Sequence, residues 1–354
     1  MYKCEMAEWR ISMSKNKNKI NALLLSVIIA VLSVLGIQTD VYAANNVTGP
    51  KYDYNERKWV YSYVYYGMYP QREVVYKGDS AQISALASRN VQSYKKVSRK
   101  TWNKIVKAKY SVSGDAKVDG VRYRRIKMTD ATQAQSDTPE LYRWLDSSSY
   151  HYFIYEPIKW KVLEISKGKA LLLSDQALDD EKYNDTKAAA LMWNIRWKNS
   201  TMRSWLNGYT GSQNACRENF SKDNFIDAAF TKSQQKKLIA RKMGGNVKDK
   251  VFLLYEEDVH NSEAASRRGF IRDESYRTTC TTYGYAKGIW RPKQSDDQTV
   301  MWWLNTDDAG DMVPNVSYYG EIDSDGRNNN KDAIGVRPAI IVSRDTVRKL
   351  KVAK

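Results

Sequence analysis

The sequence predicts an α+β fold, in which strand-rich ends enclose a helical middle and the chain closes on a terminal β-hairpin. Residues 55–175 are rich in Tyr, Val and Ile that alternate with polar residues, as half-buried strands do. Residues 200–242 contain helix caps, and residues 333–342 form an apolar run near the end. No repeat, heptad or low-complexity linker interrupts residues 55–345, so we expect one compact domain there.

The first 43 residues have the three-part plan of a secretory signal peptide. A basic stretch precedes the apolar run Ile20–Ile37, and Val41 and Ala43 supply the small-x-small pattern that signal peptidase requires. We therefore expect cleavage after Ala43 and Gram-positive type export, with the mature protein secreted or associated with the cell surface. An uncleaved membrane anchor is the alternative, because the apolar run approaches the length of a spanning helix.

The mature chain is expected to be strongly basic. Removing residues 1–43 takes away five Lys/Arg and three Asp/Glu from the 57 and 40 of the whole chain, which leaves a formal net charge of +15. Such a protein favours anionic partners such as wall polymers, acidic glycans, lipid head groups or nucleic acid. No block of five unbroken like charges is present, so we expect no sequence-specific nucleic-acid binding. Residues 44–54 are expected to be a flexible tail and residues 346–354 a basic tail.

Few residues are available for metal or nucleophilic chemistry. Processing leaves Cys216 and Cys280, which can pair outside the cytoplasm, although sequence alone does not place them together. The two histidines are His151 and His260, and neither cysteine lies in a C-x-x-C motif. This composition argues against a zinc cluster and against a Cys-His or Ser-His nucleophile, which needs a base beside it.

Glycines punctuate the strand-rich N-terminal half. Residues 60–76, VYSYVYYGMYPQREVVY, predict strands around a Gly-Met turn, and residues 108–128 predict hairpins at their G-D and D-G pairs. The clearest hairpin is Tyr152–Asp175, with its turn at Lys167–Lys169 and Trp160 among its alternating apolar residues.

Capping signals then predict helices. The stretch Ser200–Gly208 begins at a Ser/Thr N-cap and ends at a glycine stop, and its Trp205 is expected to be structural. A second helix is predicted to open at the capping box Thr231–Gln234.

Residues 301–340, MWWLNTDDAGDMVPNVSYYGEIDSDGRNNNKDAIGVRPAI, raise the question of a metal site. Asp323, Asp325 and Asn328 offer oxygen ligands, but glycine at loop position four and isoleucine at position twelve exclude an EF-hand. A D-G turn that joins residues 315–322 to residues 333–342 needs no metal. We therefore predict a terminal hairpin and no cofactor, with a calcium site on these three residues as the alternative.

The paired tryptophans and the loop after them are candidate binding residues. Trp302 and Trp303 point to opposite faces if they lie on a strand, so Trp302 is expected in the core and Trp303 either there or on a surface, with burial of both favoured. The polar loop Asn305–Asn315 is where binding residues usually lie. The ligand-binding candidates are Trp303, Asn305, Asp307, Asp308, Asp311 and Tyr319.

Seven motifs occur in the order found in a bacterial family of unknown function that is frequent in Firmicutes and gut anaerobes. The chain resembles this family over nearly its whole mature length. The motifs are YGMYPQ (Tyr66–Gln71), EPIKWKVLE (Glu156–Glu164), STMRSWLN (Ser200–Asn207), FSKDNFIDAAFTKSQQKKLI (Phe220–Ile239), VFLLYEEDV (Val251–Val259), MWWLN (Met301–Asn305) and GVRPAI (Gly335–Ile340). The family brings no activity with it.

The C-terminal part is remotely similar to the formylglycine-generating-enzyme branch of C-type-lectin-like folds. The resemblance implies a compact C-type-lectin-like domain whose last strand carries G-x-R. No cysteine lies in the segment before G-x-R, so copper-thiolate oxidation is not implied, and Asn305 stands where family members commonly have arginine. Arg337 of this motif is expected to be structural, with a carboxylate or carbonyls as partners, since an unpaired buried charge is costly. An anion-binding role for Arg337 is the alternative.

These sequence features are compatible with three functions. The leading one is a secreted, non-catalytic binding or adhesion module that contacts a glycan or cell-envelope polymer through Asn305–Asn315. The alternative is a hydrolase of wall or sugar polymers that uses paired carboxylates, such as Glu256 and Glu257 or Asp307 and Asp308. Adjacent acids usually diverge, so this alternative requires two carboxyls from different segments that face one cleft. The third is a nonspecific binder of anionic polymers, whose binding weakens with salt.

Overall fold

One long strand, β7 (His151–Ser166), organises the larger of two main sheets in the computed structural model. The structure describes residues 47–88, 91, 93–132, 140–144, 146–185, 193–271, 273–292, 298–308 and 310–353. The predicted signal segment, residues 1–43, lies outside the described residues. Residues 45–354 group into one compact unit, which has a mixed fold of sheets and several helices.

The strands and helices alternate irregularly along the chain. The strands are β1 (Lys51–Asp53), β2 (Lys58–Val60), β3 (Tyr63–Tyr76), β4 (Tyr94–Val97), β5 (Asp115–Val118), β6 (Val121–Ile126), β7 (His151–Ser166), β8 (Lys169–Ser174), β9 (Asp179–Asp180), β10 (Arg241–Lys242), β11 (Lys248–Asp249), β12 (Val251–Phe252), β13 (Trp302–Trp303), β14 (Met312–Val316), β15 (Ile322–Asn328), β16 (Gly335–Val336) and β17 (Ala339–Ser343). The helices are α1 (Ser80–Ser88), α2 (Arg99–Val106), α3 (Thr201–Asn207), α4 (Phe225–Ala229), α5 (Lys232–Gln235), α6 (Glu256–Val259), α7 (Glu263–Arg267), α8 (Asp273–Tyr276), α9 (Thr282–Lys287) and α10 (Arg344–Arg348).

The larger sheet has the strand order β12-β17-β8-β7-β3-β4, with the hairpin β5–β6 attached to β7 through β6. The second sheet has the order β15-β14-β13-β16-β9, in which β13 and β16 are parallel. Two of the passages of the chain between the sheets run from β8 to β9 and from β16 to β17. These two passages lie side by side, because Ser174 N donates to Pro338 O at 3.0 Å and Leu178 N donates to Val336 O at 2.9 Å.

Two predicted hairpins are confirmed, and both turns have a physical cause. In β7–β8 the turn residues Lys167 and Gly168 have φ of 46° and 74°, and in β5–β6 Asp119 and Gly120 have φ of 48° and 84°. Two consecutive positive φ angles define the type I′ turn, whose twist matches that of paired strands. The glycine in each turn adopts this conformation without steric cost.

The predicted helix starts are also confirmed. Helix α3 begins after Ser200, whose side chain accepts from Arg203 N, and ends at Gly208 with φ of 71°. Helix α5 begins at the capping box of Thr231 and Gln234 but spans only four residues. It ends early because the chain then joins the larger sheet, where Leu238 bridges to Val342.

The Gly-Met turn predicted within residues 60–76 is wrong. Strand β3 runs without reversal from Tyr63 to Tyr76 and bulges between Tyr65 and Met68, opposite β7. At the bulge Gly67 has φ of 72°, and a Cβ there would lie 2.7 Å from Ala229 O. The glycine therefore bends the strand instead of ending it, because β7 is long enough to pair with β3 on both sides of the bulge.

The prediction of a terminal hairpin is wrong about which strands pair. Strand β14 pairs with β15 through a turn at residues 317–321, whereas β17 pairs with β8 and β12. The D-G pair lies inside β15, where Gly326 has φ of 76° and approaches Val313. The apolar C-terminal run is buried on both faces at the larger sheet, which explains why β17 pairs with apolar strands and not with polar β15.

Both expected tails make contacts within the domain. In the segment 44–54, Val47 is buried and Lys51–Asp53 forms β1 opposite β2. In the segment 346–354, Ala353 N donates to Tyr63 O at 2.8 Å, and Lys351 O accepts from Tyr65 N. The edge of β3 pairs with this C-terminal segment, so the backbone groups find partners there. Among the described residues, none of the helices combines the length and the apolar character that a membrane span requires.

Candidate functional site

The predicted binding residues divide into buried and exposed ones. Trp303 has no exposed surface, and its Nε1 donates to Glu181 O at 3.1 Å. Trp303, predicted as a ligand-contacting residue, therefore lies in the interior, because β13 is inside the second sheet and both of its faces are covered. Asn305 is 2% exposed and accepts from the Tyr183 hydroxyl at 2.7 Å, so it also belongs to the interior.

The other four candidates lie at or near the surface. Asp307 and Asp308 are exposed, and Asp307 accepts from the Tyr255 hydroxyl at 2.9 Å. Asp311 is half-buried, and Tyr319 is exposed at the turn between β14 and β15. The structure therefore does not gather the six candidates into one pocket.

The residues predicted as structural are all buried. They are Trp160, Trp205, Trp302 and Arg337. Trp160 Nε1 donates to Tyr66 O at 2.7 Å, and Trp302 Nε1 donates to Tyr276 O at 3.0 Å. Each indole thus satisfies its polar atom within the core, as buried tryptophans do.

The metal candidates serve local structure. Asp323 accepts from Gly326 N at 3.0 Å and pairs with Arg327 at 3.3 Å, and the Asn328 side chain accepts from Asn330 N. Asp325 is exposed. Within the part of the chain that the structure describes, no three His, Cys, Asp or Glu side chains are placed to hold a metal ion.

The remaining candidate groups also lie apart. Glu256 and Glu257 occupy the first turn of α6, where Glu256 accepts from the Ser324 hydroxyl at 2.7 Å. Cys216 and Cys280 are not joined in a disulfide.

A polar cavity that the sequence analysis missed lies between the β5–β6 hairpin, β9 and α9. Its volume is about 280 Å³. We call it the acidic cavity. It is defined by six charged or phenolic lining residues: Arg124, Asp179, Glu181, Asp223, Tyr283 and Lys287.

Regular local structure aims these side chains at the cavity. Asp179 and Glu181 are two residues apart along β9 and its extension, so both point to the same side. Tyr283 and Lys287 are four residues apart on α9, so they share one helix face. Strand β9 pairs with the two-residue strand β16, which places Asp179 opposite Val336 of the G-V-R-P-A-I motif.

Opposite charges meet inside the cavity. Lys287 Nζ lies 3.6 Å from Glu181 Oε1, and the side chains are 15% and 26% exposed. The Tyr69 hydroxyl donates to Asp179 in a short hydrogen bond. Arg124 is held by Asp115, whose Oδ1 accepts from Nε at 2.8 Å, and its Nη2 lies 3.9 Å from Asp223 Oδ1. The cavity therefore contains both hydrogen-bond acceptors and charged donors.

Asp180 points away from the cavity, as strand alternation requires. Its Oδ2 accepts from Ala333 N at 3.1 Å and from the Thr132 hydroxyl in a short hydrogen bond. Its Oδ1 is buried without a hydrogen-bond partner among the described residues. Asp180 therefore fixes β9 to its surroundings and leaves its neighbours to line the cavity.

Burial changes the proton affinity of these acids. It raises the pKa of Glu181 to about 8, an effect that Lys287 opposes and that Asp179 and Asp180 reinforce. Burial likewise raises the pKa of Asp180 to about 7 and raises the pKa of Asp179. A carboxyl with such a pKa can hold a proton at neutral pH and donate it, which is the property that general acids and hydrogen-bond donors need.

A sequence signal for this cavity did exist. The acids Asp179, Asp180 and Glu181 follow the buried strand β8 after a short connection, in SDQALDDEK. Consecutive acids at the end of an apolar strand are unusual on energetic grounds, because charged side chains there must find partners or protons. Lys287, which pairs with Glu181, lies far away in sequence, which is why spacing alone did not reveal the site.

A comparison with protein families identifies the family of the chain. The family model described as Domain of unknown function (DUF6273) matches residues 167–344, about half of the chain. This match includes Glu181, Lys287 and Arg337 but not the motifs YGMYPQ and EPIKWKVLE. Searches of curated proteins and of solved structures returned no match. The matched region covers β9, α9 and all of the second sheet, and the chain therefore belongs to the DUF6273 family, a family of unknown function.

Proposed function

We propose that this protein is an exported, non-catalytic binding module that holds a sugar unit of a glycan or cell-envelope polymer in the acidic cavity. Export rests on the predicted signal segment, and a C-type-lectin-like architecture rests on the remote resemblance of the C-terminal part. The observation that carries the proposal is the convergence of carboxylates, cations and aromatic residues from separate elements on one cavity.

The chemistry of the cavity suits a polyhydroxylated ligand. Glu181 and Asp223 can accept hydrogen bonds from sugar hydroxyls, whereas Lys287 and Arg124 can donate to ring and hydroxyl oxygens. Tyr150 is 37% exposed at the lining, and Trp205 contributes apolar surface. Aromatic rings complement the C–H faces of sugars, and ligand pockets combine such surfaces with a few polar groups.

The size of the cavity limits what it can hold. Its volume of about 280 Å³ is slightly below the usual range for ligand pockets, roughly 300–1,000 Å³. A single sugar unit or the end of a polymer is therefore the expected occupant, rather than a long glycan segment. The proposed site therefore differs from the predicted loop Asn305–Asn315 and lies beside β9 and α9.

A glycan array probed with the full chain tests binding, and calorimetry with the best glycan then tests the site. We expect Glu181→Gln and Lys287→Met to weaken binding by about tenfold or more, because the first replaces a carboxyl oxygen by an amide NH2 group and the second removes the ammonium donor. Asp119→Asn, a change on the exposed β5–β6 turn, is the matched control and should bind normally. Asp307→Ala and Asp308→Ala test the loop directly.

The possible results separate the hypotheses. Loss of binding in the loop variants with normal binding in Glu181→Gln would return the site to Asn305–Asn315. No glycan binding by the full chain contradicts the proposal as a whole. Retention that collapses between low and moderate salt, with no glycan preference, would indicate the nonspecific binding of anionic polymers.

A carboxylate-dependent hydrolase is the second candidate, and one observation favours it. Asp223 and Glu181 come from different segments and line the same cavity, as an acid/base pair must. Burial keeps Glu181 protonated near neutral pH, and Asp223 is 63% exposed in its side chain. Glu181 is then the general acid, and Asp223 is the base or nucleophile.

Release of reducing ends from wall polysaccharide by the full chain tests the second candidate. We expect Glu181→Gln and Asp223→Asn each to lower the rate by about 100-fold or more, with Asp119→Asn as control. Glycan binding without any release of reducing ends would support the binding module and exclude the hydrolase.

A further inference from the structure

A second cavity lies where the chain passes between the two sheets. Its volume is about 400 Å³, and it does not share a lining residue with the acidic cavity. We call it the cationic cavity and define it by Lys161, Asp175, Arg277, Thr279 and Arg337, with Glu274 at its exposed edge. Two of its cationic side chains, Lys161 and Arg337, are almost completely buried, and a buried charge needs a partner.

Arg337 has partners for only part of its guanidinium group. Nε donates to Ser174 O at 2.9 Å, and Nη2 reaches Asp175 O at 3.4 Å. Cζ lies 4.9 Å from the centre of the Trp302 ring. Nη1 is buried without a hydrogen-bond partner among the described residues, although the residue is only 1% exposed. A guanidinium carries five N–H donors, and the protein satisfies only part of them here.

Lys161 adds a second buried charge. It is 8% exposed, and its Nζ lies 4.5 Å from the centre of the Tyr61 ring. In the described part of the chain, no carboxylate lies within ion-pair distance of this ammonium. Asp175, the acid of the same cavity, is instead paired with Lys159 at 3.1 Å. Buried charges are normally paired, so Lys161 and Arg337 together call for an anion.

The remaining lining groups are suited to the same ligand. Arg277 Nε donates to Tyr319 O at 2.7 Å, and its positive charge adds to that of the cavity. The Thr279 hydroxyl accepts from Gln176 Nε2 at 2.9 Å, and its own proton has no acceptor among the described residues. Three cations line the cavity against Asp175 and Glu274, so positive charge is in excess.

We propose that the cationic cavity binds an oxyanion of the phosphate type, held by the Arg337 guanidinium, the Lys161 ammonium and the Thr279 hydroxyl. The oxyanion is either free phosphate or a phosphate ester group of an envelope polymer. Donors from β7, the β16–β17 passage and the segment before α9 approach it from different directions, which suits a tetrahedral anion with several acceptor oxygens. The site is independent of glycan binding in the acidic cavity.

The electrostatic state of Lys161 supports this assignment. Burial and the nearby charge of Arg337 lower the pKa of Lys161 to about 7, while Asp175 opposes the change. A bound oxyanion favours the ammonium form and supplies the counter-charge that Asp175, paired with Lys159, does not fully provide.

Calorimetric titration of the full chain with inorganic phosphate and, separately, with glycerol phosphate tests the proposal. We expect saturable binding of phosphate at pH 7, and Lys161→Met should weaken it by about tenfold or more. Lys104→Met is the matched control, because it makes the same charge change at an exposed lysine that does not line the cavity. Binding of both compounds indicates a site open to phosphate esters of polymers, whereas binding of phosphate alone indicates a free anion.

A second measurement keeps the test independent of the variant's folding. Lys161 in the native chain is acylated with acetic anhydride, and the modification of each lysine is followed by mass spectrometry. Phosphate should slow the reaction at Lys161 and leave Lys104 unchanged. The proposal is overturned if the native chain does not bind phosphate, if Lys161→Met and Lys104→Met bind it equally, or if phosphate does not protect Lys161.

Discussion

Arg203 Nε donates to both carboxylate oxygens of Asp249, at 3.0 and 2.9 Å, and the two side chains are 5% and 0% exposed. The same carboxylate accepts from Trp197 Nε1 at 2.7 Å and from the Tyr209 hydroxyl at 2.9 Å. Asp249 therefore joins the S-x-x-R-x-W helix α3 to β11 and the segments on either side of that helix. A buried ion pair with this many hydrogen bonds is stabilising only while it is complete.

Asp249→Ala is therefore expected to destabilise the protein by roughly 3–5 kcal/mol, because it leaves the Arg203 guanidinium charged and buried. Urea unfolding measures the difference. Asp119→Ala is the control, since the Asp119–Lys104 pair is exposed and such pairs contribute at most about 1 kcal/mol. Equal effects of the two substitutions would show that the Asp249 network does not stabilise the fold.

Arg337→Ala should lower the melting temperature. The substitution removes the donors to Ser174 O and Asp175 O, so buried carbonyls at the passage between the sheets lose partners. A loss of about 2–4 kcal/mol is expected from these unmade hydrogen bonds and the lost contact with Trp302. Arg337→Lys should rescue only part of it, because lysine lacks the planar fork. A fully stable Arg337→Ala protein would contradict the structural role of Arg337, and ligand binding would then be its only remaining role.

Stability should fall with rising pH because of Asp180. Burial raises its pKa to about 7, whereas an unfolded aspartate titrates near 3.9. The folded state thus binds the proton more tightly, and the stabilisation is complete below about pH 4 and lost as pH rises to about 7. The loss is at most about 4 kcal/mol, at 1.4 kcal/mol per pKa unit.

The comparison with Asp180→Asn isolates this effect. Unfolding free energies of both proteins are measured between pH 4 and pH 8, and groups shared by the two proteins cancel in the difference. The native protein should lose stability relative to the variant across this range. A difference that is constant with pH would show that Asp180 titrates normally.

Lys161 should have the opposite dependence at higher pH. Its pKa is lowered to about 7, below about 10.4 for an unfolded lysine, so the folded state binds this proton more weakly. Relative to Lys161→Met, the native protein should gain stability as pH rises from about 7 to about 10, by at most about 5 kcal/mol. Unfolding is measured in phosphate-free buffer, because a bound oxyanion would mask the change. A constant difference between the two proteins would mean that Lys161 stays charged throughout.

The sequence by itself determined the local elements of this protein. The β7–β8 turn at Lys167 and Gly168, the N-cap at Ser200 and the stop at Gly208 depend on backbone sterics and hydrogen bonds within a few residues. Such signals are complete within a short window, so they could be recognised without the fold. The burial of Trp160 and Trp302 was likewise expected from their apolar area.

Only the tertiary structure decided which elements meet. The polar strand β15 folds back on β14, and β17 joins β8, because long-range pairing depends on which faces are buried. The acidic cavity brings Glu181 to Lys287, more than a hundred residues away, and the cationic cavity brings Lys161 to Arg337. Charge partners across such separations leave no periodic pattern in the chain. The geometry of the folded protein, not the order of its residues, therefore decided where its candidate sites lie.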